Sequence, residues 1–201
     1  MQKFHKAISF IFQPLLMPTY GMMILINIEI FQVVPLQWKI IALLGTFLFT
    51  GLMPAIPIFM LMNKGQVSDL FISKREQRTL PYVFSIVSYG FWTIFLYKVL
   101  HLPPFMVAMG IGVTLSIFLI LLVNFRWKIS AHLSGIGGYV GGVFAISYRL
   151  AYNPYWFIIL ILGVSALVAI SRIELKAHTP MQTLAGFSVG FFSVFVSCFI
   201  S

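Results

Sequence analysis

Apolar residues in this chain neither alternate with polar ones, as in a half-buried strand, nor recur in the stripe of a surface helix. They run in blocks. Seven blocks stand at about 7–28, 40–62, 81–100, 104–123, 133–151, 155–171 and 181–200. A bilayer's hydrocarbon core is about 30 Å thick, and a helix crosses it with about 20 apolar residues. The blocks therefore predict transmembrane helices. Spanning strands are excluded, because the runs do not alternate and an open sheet would leave backbone groups unsatisfied in lipid. Pro35, Pro103-Pro104 and Asn153-Pro154 predict tight connections, and Pro54 and Pro57 predict a kink in the second span.

Composition agrees. Of 201 residues, 60% are hydrophobic and only 8% charged, with a mean hydropathy of +1.01. A water-soluble domain carries roughly 25% charged residues, so a soluble fold is excluded. The expectation is an all-α polytopic transmembrane bundle of 6–7 spans, a single integral-membrane domain over 1–201. Lys3 and Lys6 precede the first block. Gln13, Pro14 and Pro18 interrupt it and no small-residue cleavage site follows, so a retained first helix is expected. The lone Cys198 excludes an internal disulfide. Without HxxxH or CxxC spacing, no metal site is expected.

The net charge is +9, and its placement is uneven. If all seven blocks cross, one side holds ten cations: Lys3, Lys6, Lys64, Lys74, Arg75, Arg78, Arg126, Lys128, Arg172 and Lys176. The other side holds three: Lys39, Lys98 and Arg149. The positive-inside rule alone accounts for such a bias and puts the rich side in the cytoplasm. The alternative is that several of these cations form an anion site. Gly137xxxGly141, Gly138xxxGly142 and Gly186xxxGly190 place small residues on single helix faces, which permits close helix contact in lipid.

Three polar islands lie on the rich side, each beside the start of a span. The first is Ser73-Lys74-Arg75-Glu76-Gln77-Arg78-Thr79-Leu80-Pro81. In a helical turn Lys74 and Arg78 would share a face, as would Arg75 and Arg78. The second, Lys128-Ile129-Ser130-Ala131-His132, offers Ser130 as an N-cap beside His132. The third runs Ser171-Arg172-Ile173-Glu174-Leu175-Lys176-Ala177-His178-Thr179-Pro180-Met181-Gln182. Thr179, Pro180 and Gln182 read there as N-cap, N1 and N3 of a capping box, with His178 at the mouth of the helix. Each island alone is also what a membrane anchor looks like. Together, cations for phosphate oxygens and two histidines supply the groups a phosphoryl transfer needs.

The order and spacing of the islands resemble the type 2 phosphatidic acid phosphatase superfamily, which shares its helical core with vanadium haloperoxidases. Its pattern is KxxxxxxRP, then PSGH, then SRxxxxxHxxxD. Ser171-Arg172, His178 and Gln182 follow the third motif except at its last position. Ser130 and His132 keep half of the second, and Lys74 and Pro81, with Arg75 and Arg78 between them, keep part of the first. The likeness covers roughly residues 74–182, within a motif-bearing core of about 63–201. It implies His178 as nucleophile and His132 as proton donor and later base. It implies Lys74, Arg75 or Arg78, Ser130 and Arg172 on the phosphate oxygens, with no metal or organic cofactor. Gln182 stands where the family has an Asp that orients the nucleophile, and Glu174 could supply that carboxylate if its turn is helical. The resemblance implies a site facing periplasm or lumen, whereas the charge bias implies cytoplasm.

The leading expectation is therefore a lipid phosphatase acting on a phosphate monoester or diphosphate in the bilayer, the plasma membrane if the source is bacterial. The alternatives are a non-catalytic relative that binds or translocates lipid phosphates, and an unrelated transporter or structural subunit. No nucleic-acid partner is expected.

Overall fold

Hydrocarbon offers no hydrogen bonds, so each crossing segment must satisfy its own backbone, and an α-helix does so within itself. The computed structural model describes residues 1–69 and 71–201 and is helical throughout, with no strand among the described residues. The first block is broken into α1 (Gln2–Ile11) and α2 (Met17–Leu25) by a 3-10 turn at Pro14–Leu16. The second is α3 (Leu36–Phe47) and α4 (Met53–Asn63), joined by a π turn at Leu48–Leu52. A 3-10 turn, Arg75–Arg78, leads into α5 (Thr79–Lys98). Then come α6 (Pro104–Asn124), α7 (Ala131–Arg149), α8 (Tyr155–Glu174) and α9 (Pro180–Ile200).

The distortion in the second span sits one turn ahead of the prolines. Pro54 has no N–H to give the carbonyl four residues back, and the ladder widens to the π form there. The loosened carbonyls are taken up by α5: the Tyr89 hydroxyl donates to Thr50 O at 3.3 Å, and the Ser88 hydroxyl to Phe49 O. Nearby, Trp92 Nε1 donates to Thr46 Oγ1 at 3.1 Å. Polar side chains in this part of the bundle thus repair the backbone that proline opens.

Among the described residues, six helical stretches are long and apolar enough to cross a membrane: Gln2–Leu25, Leu36–Asn63, Arg75–Lys98, Pro104–Asn124, Tyr155–Glu174 and Pro180–Ile200. The protein is a polytopic helical bundle, a multi-pass membrane protein. Helix α7 is not among the six. Its 19 residues measure about 28 Å, long enough for the core, but five are glycines and ten are buried. It meets α9, α6, α8 and α2 rather than lipid. A helix wrapped by protein does not need an apolar surface.

The tightest packing is between α7 and α9, which start at the same end and run alongside each other. A methyl group at Gly137 would overlap Phe187 O, at Gly141 Phe191 O, at Gly190 Ser134 O and at Gly186 Ser130 O. All four obstacles are backbone, so the glycines let two main chains touch. Gly112 on α6 approaches Ser193 of α9 similarly. At the opposite end Arg149 Nη2 donates to Phe199 O at 3.0 Å and also reaches Ser201 O, capping the negative end of α9 with a cation.

Gly190→Ala should lower stability by about 1–3 kcal/mol, the usual cost of overpacking, seen as a lower midpoint of thermal denaturation in detergent. Gly163→Ala on α8 meets nothing within 4 Å and should be neutral or mildly stabilising. Equal effects would contradict the backbone contact.

Candidate functional site

The α7–α9 contact sets two helix N-termini side by side. Ser130 caps α7, its hydroxyl accepting Leu133 N–H at 3.4 Å, and its own N–H donates to Gln182 O at 3.3 Å. On α9 the expected capping box is present: Gln182 N–H donates to Thr179 Oγ1 at 3.4 Å, and Thr179 N–H to Gln182 Oε1 at 3.1 Å. His132 sits in the first turn of α7 and His178 just ahead of α9, both buried.

The hydrogen bonds fix both imidazole tautomers. Gln182 Oε1 already accepts from Thr179 N–H, so that atom is the amide oxygen. His178 Nδ1, 3.1 Å away, therefore carries the proton and donates to it. Neutral His178 is left with a bare Nε2. His132 Nε2 lies 3.1 Å from Ser9 O, a carbonyl that can only accept, so this nitrogen is protonated and neutral His132 has a bare Nδ1. Burial pushes the His178 pKa down to about 3, with the Arg78, Arg172 and Lys128 charges adding to the effect and the Gln182 hydrogen bond opposing it. At neutral pH the ring is uncharged.

The cations come from all three islands. Arg78 is buried and donates from Nε to Ile72 O at 2.8 Å and from Nη1 to Ile129 O at 3.0 Å, tying the approach to α5 to the start of α7. Arg172 is 3% exposed, stacks its guanidinium 5.5 Å from the Phe71 ring, and its Nε has no hydrogen-bond partner among the described residues. Lys128, which the sequence reading counted in the charge bias without giving it a role, also belongs here. Burial lowers its pKa, and Arg78 and Arg172 lower it further. The nearest carboxylate, Asp69, is committed to its own loop, accepting from Phe71 N–H at 2.9 Å and from Ser73 N–H, Ser73 Oγ and Ser68 Oγ. Burial raises its pKa, but these bonds outweigh it and hold the group below the usual carboxylate value. The only ion pair among the described residues is Arg75 with Glu76, at 3.3 Å. Arg78, Arg172 and Lys128 have none.

Three sequence expectations are corrected. Lys74 is exposed and outside the cluster, because it precedes the turn in extended conformation and the turn itself, Arg75–Arg78, is 3-10 rather than α-helical. Arg75 faces the α6–α7 connection, with Nη1 donating to Phe125 O at 3.2 Å and Nε engaging Glu76. Glu174 does not orient His178. Helix α8 ends at Glu174, Lys176 turns the chain with φ 53°, and Glu174 stays exposed. The group on His178 Nδ1 is Gln182.

His132, His178 and Arg78 line one cavity of about 80 Å³ with Gln13, Phe71 and Tyr82. The N-terminal segment forms part of its wall, since α1 packs on α8, with His5 Nδ1 3.1 Å from Ser171 Oγ, and presents Ser9 O to His132. Nothing in the local sequence signalled Ser9, Gln13, Phe71 or Tyr82. A second, larger cavity of about 310 Å³ continues between α2, α5, α6 and α7, sharing Pro14, Leu15, Tyr82, Ser85 and Ala131 with the first. No group of three His, Cys, Asp or Glu side chains able to hold a metal occurs among the described residues. What the arrangement offers is a neutral imidazole with a free nitrogen beside cations that lack a direct carboxylate partner, the chemistry that grips and attacks a phosphate.

The depressed His178 pKa predicts a pH effect on stability. The folded value of about 3 lies below the unfolded value of about 6.5. Stability from the neutral ring is therefore complete above pH about 6.5 and is lost as pH falls toward 3. The thermal midpoint in detergent should drop between pH 7 and 4, and His178→Gln should drop less than wild type; parallel curves would contradict this environment. Comparison of the chain with protein-family models, with curated proteins and with solved structures finds no match in any of the three.

Proposed function

We propose that this protein is a membrane phosphatase that hydrolyses a lipid phosphate monoester or diphosphate through a phosphohistidine, in the manner of the type 2 phosphatidic acid phosphatase superfamily that its islands resemble. The observation that carries the reading is the state of His178. Its Nδ1–H is held by Gln182, its Nε2 is bare, and the ring lines a cavity with Arg78 and His132. That is the geometry of an oriented nitrogen nucleophile. The buried, unpartnered Arg172 Nε supports it, since a phosphate oxygen satisfies such a donor with a charge-assisted bond.

In the first step His178 Nε2 attacks phosphorus, a P–N bond forms, and the P–O bond to the lipid breaks. The departing alkoxide takes a proton from Nδ1 of His132, which picks that proton up when the substrate's negative charge enters the cationic pocket. In the second step neutral His132 Nδ1 takes a proton from water as its oxygen attacks phosphorus. The P–N bond breaks, inorganic phosphate leaves, and His132 releases to solvent the proton it took from water, so both rings return to their neutral starting states. Arg78, Arg172 and Lys128 stabilise the transferring phosphoryl group throughout.

One observation favours a second reading, a relative that binds or translocates lipid phosphates without turnover. Gln182 can orient His178 but has no charge to support the imidazolium, and in a serine-protease triad the comparable loss costs about 10⁴ in rate.

Phosphate release from a panel of lipid phosphates decides between them. His178→Ala should lower release by at least about 10³-fold. Gln182→Glu keeps the capping box and adds the missing charge, and should raise release about tenfold or more. Release unchanged in His178→Ala would sink the phosphatase. A silent wild type that binds lipid phosphates, with turnover in Gln182→Glu, would identify the binding relative.

A further inference from the structure

The bundle has two ends, and its contacts place the connections at one or the other. At one end Asn124 Nδ2, closing α6, donates to Arg75 O at 3.1 Å ahead of α5, and Arg78 Nη1 reaches Ile129 O ahead of α7. The Ser130 N–H reaches Gln182 O on α9, and His5 of α1 meets Ser171 near the close of α8. Val67 and Ile72 pack there on Ile58 and Leu61 of α4. This is the end that holds both histidines. At the other end one apolar cluster joins Leu25 of α2, Leu96 of α5 and Met106 of α6, with Trp38 of α3 and Ile146 of α7 packed against it. Arg149, closing α7, holds the last carbonyls of α9 there. Helix α7 thus runs from one end to the other, and the chain makes seven passes between them.

Ten cations stand at the histidine end and three at the other. Such a bias has two explanations: a pocket for an anion, or the loop charge that orients a membrane protein. The structure separates them. Arg78, Lys128 and Arg172 belong to the pocket, and Arg75 is paired with Glu76. The others, Lys3, Lys6, Lys64, Lys74, Arg126 and Lys176, are exposed. At the far end Arg149 is committed to α9, which leaves Lys39 and Lys98. Six against two remain once every cation with another task is set aside. The six lie in short connections or in the first two turns of α1, where Lys and Arg fix orientation.

We infer that the histidine end faces the cytoplasm, so that the pocket takes its lipid phosphate from the cytoplasmic leaflet. The orientation rests on the exposed cations alone, whereas the ligand rests on the reading of the pocket as a phosphate site. This is the side opposite to the one that the sequence resemblance implies. The same six cations attract anionic head groups to the surface around the pocket. A charged head does not pass unaided through hydrocarbon, which offers it neither water nor counter-charge. The reaction that supplies the substrate must therefore attach a phosphate-bearing head to a lipid at the cytoplasmic face, and the phosphate released stays in the cytoplasm.

The test is labelling with a membrane-impermeant maleimide in bacterial spheroplasts, with the wild type as blank because Cys198 is buried. Gln66→Cys marks the histidine end and Gln32→Cys the other. Both positions are exposed and uncharged, so the charge bias is untouched. Gln32→Cys should label in intact spheroplasts, and Gln66→Cys only once the membrane is opened. The reverse pattern, or labelling of both in intact spheroplasts, would overturn the orientation. The second arm is phosphate release from short-chain lipid phosphates added outside sealed inner-membrane vesicles, with His178→Ala vesicles giving the background. Inverted vesicles, which expose the cytoplasmic face, should release phosphate, and right-side-out vesicles should not until detergent opens them. The expected labelling without release above background overturns the phosphatase and keeps the orientation. Reversed labelling with release confined to right-side-out vesicles overturns the orientation and keeps the phosphatase. Equal release from both overturns supply from one leaflet.

Discussion

Two main chains touch along α7 and α9, and the candidate site exists because they do. Gly137 and Gly141 of one helix, and Gly186 and Gly190 of the other, remove the Cβ atoms that would hold the backbones apart. Apolar side chains cannot drive such a contact in lipid, where tails are as apolar as leucine. Close van der Waals approach and backbone polarity have to do it. With the helices in contact and starting together, the Ser130 N–H reaches Gln182 O, and the residues just inside one start and just ahead of the other become neighbours. His132 and His178 are 46 positions apart in sequence and line one cavity as a direct result. The rest of the bundle supplies what surrounds them: the 3-10 turn ahead of α5 brings Arg78, α5 brings Tyr82, α8 brings Arg172, and α1 brings the Ser9 carbonyl.

Electrostatics then give that cavity its character. Burial disfavours a charged imidazole, and the neighbouring Arg78, Arg172 and Lys128 cations repel a further proton, so His178 is neutral far below ordinary pH. The same repulsion makes an incoming anion welcome. Arg78 anchors itself on the Ile72 and Ile129 carbonyls and holds its charge in place before a ligand arrives, so little reorganisation is needed on binding. Asp69 acts on both Arg172 and Lys128, and it already accepts hydrogen bonds from Ser68, Phe71 and Ser73.

The spans were legible in the sequence because hydrocarbon imposes one rule on every crossing segment. Seven apolar blocks became helices with ends within a few residues of those expected, even where proline divided α1 from α2. The helix caps at Ser130 and Thr179 were legible for a similar reason: they are local, set by residues three apart. The failures were non-local or turned on a subtle change of helix type. Lys74 and Arg78 share a face only if both lie in one α-helical turn, and Lys74 stands ahead of the turn in extended conformation. Glu174 was placed on His178 by the same assumption, and the chain left the helix first. Lys128, Phe71, Tyr82 and Ser9 reach the site only through packing between distant segments, a relation that no spacing along the chain encodes.

The composition of α7 also bears on how the protein is made. A segment with five glycines, His132 and Arg149 gains little by leaving the insertion machinery for bare lipid. The helix whose backbone it matches, α9, emerges after it and after α8. At about 5–20 residues per second, synthesis of the 70 residues from 131 to 200 takes roughly 4–14 seconds. For that interval α7 can lean on α2 and α6, already delivered, and then on α8 as it follows. The end of the bundle that holds His132 and His178 is thus completed only when α9 has joined α7.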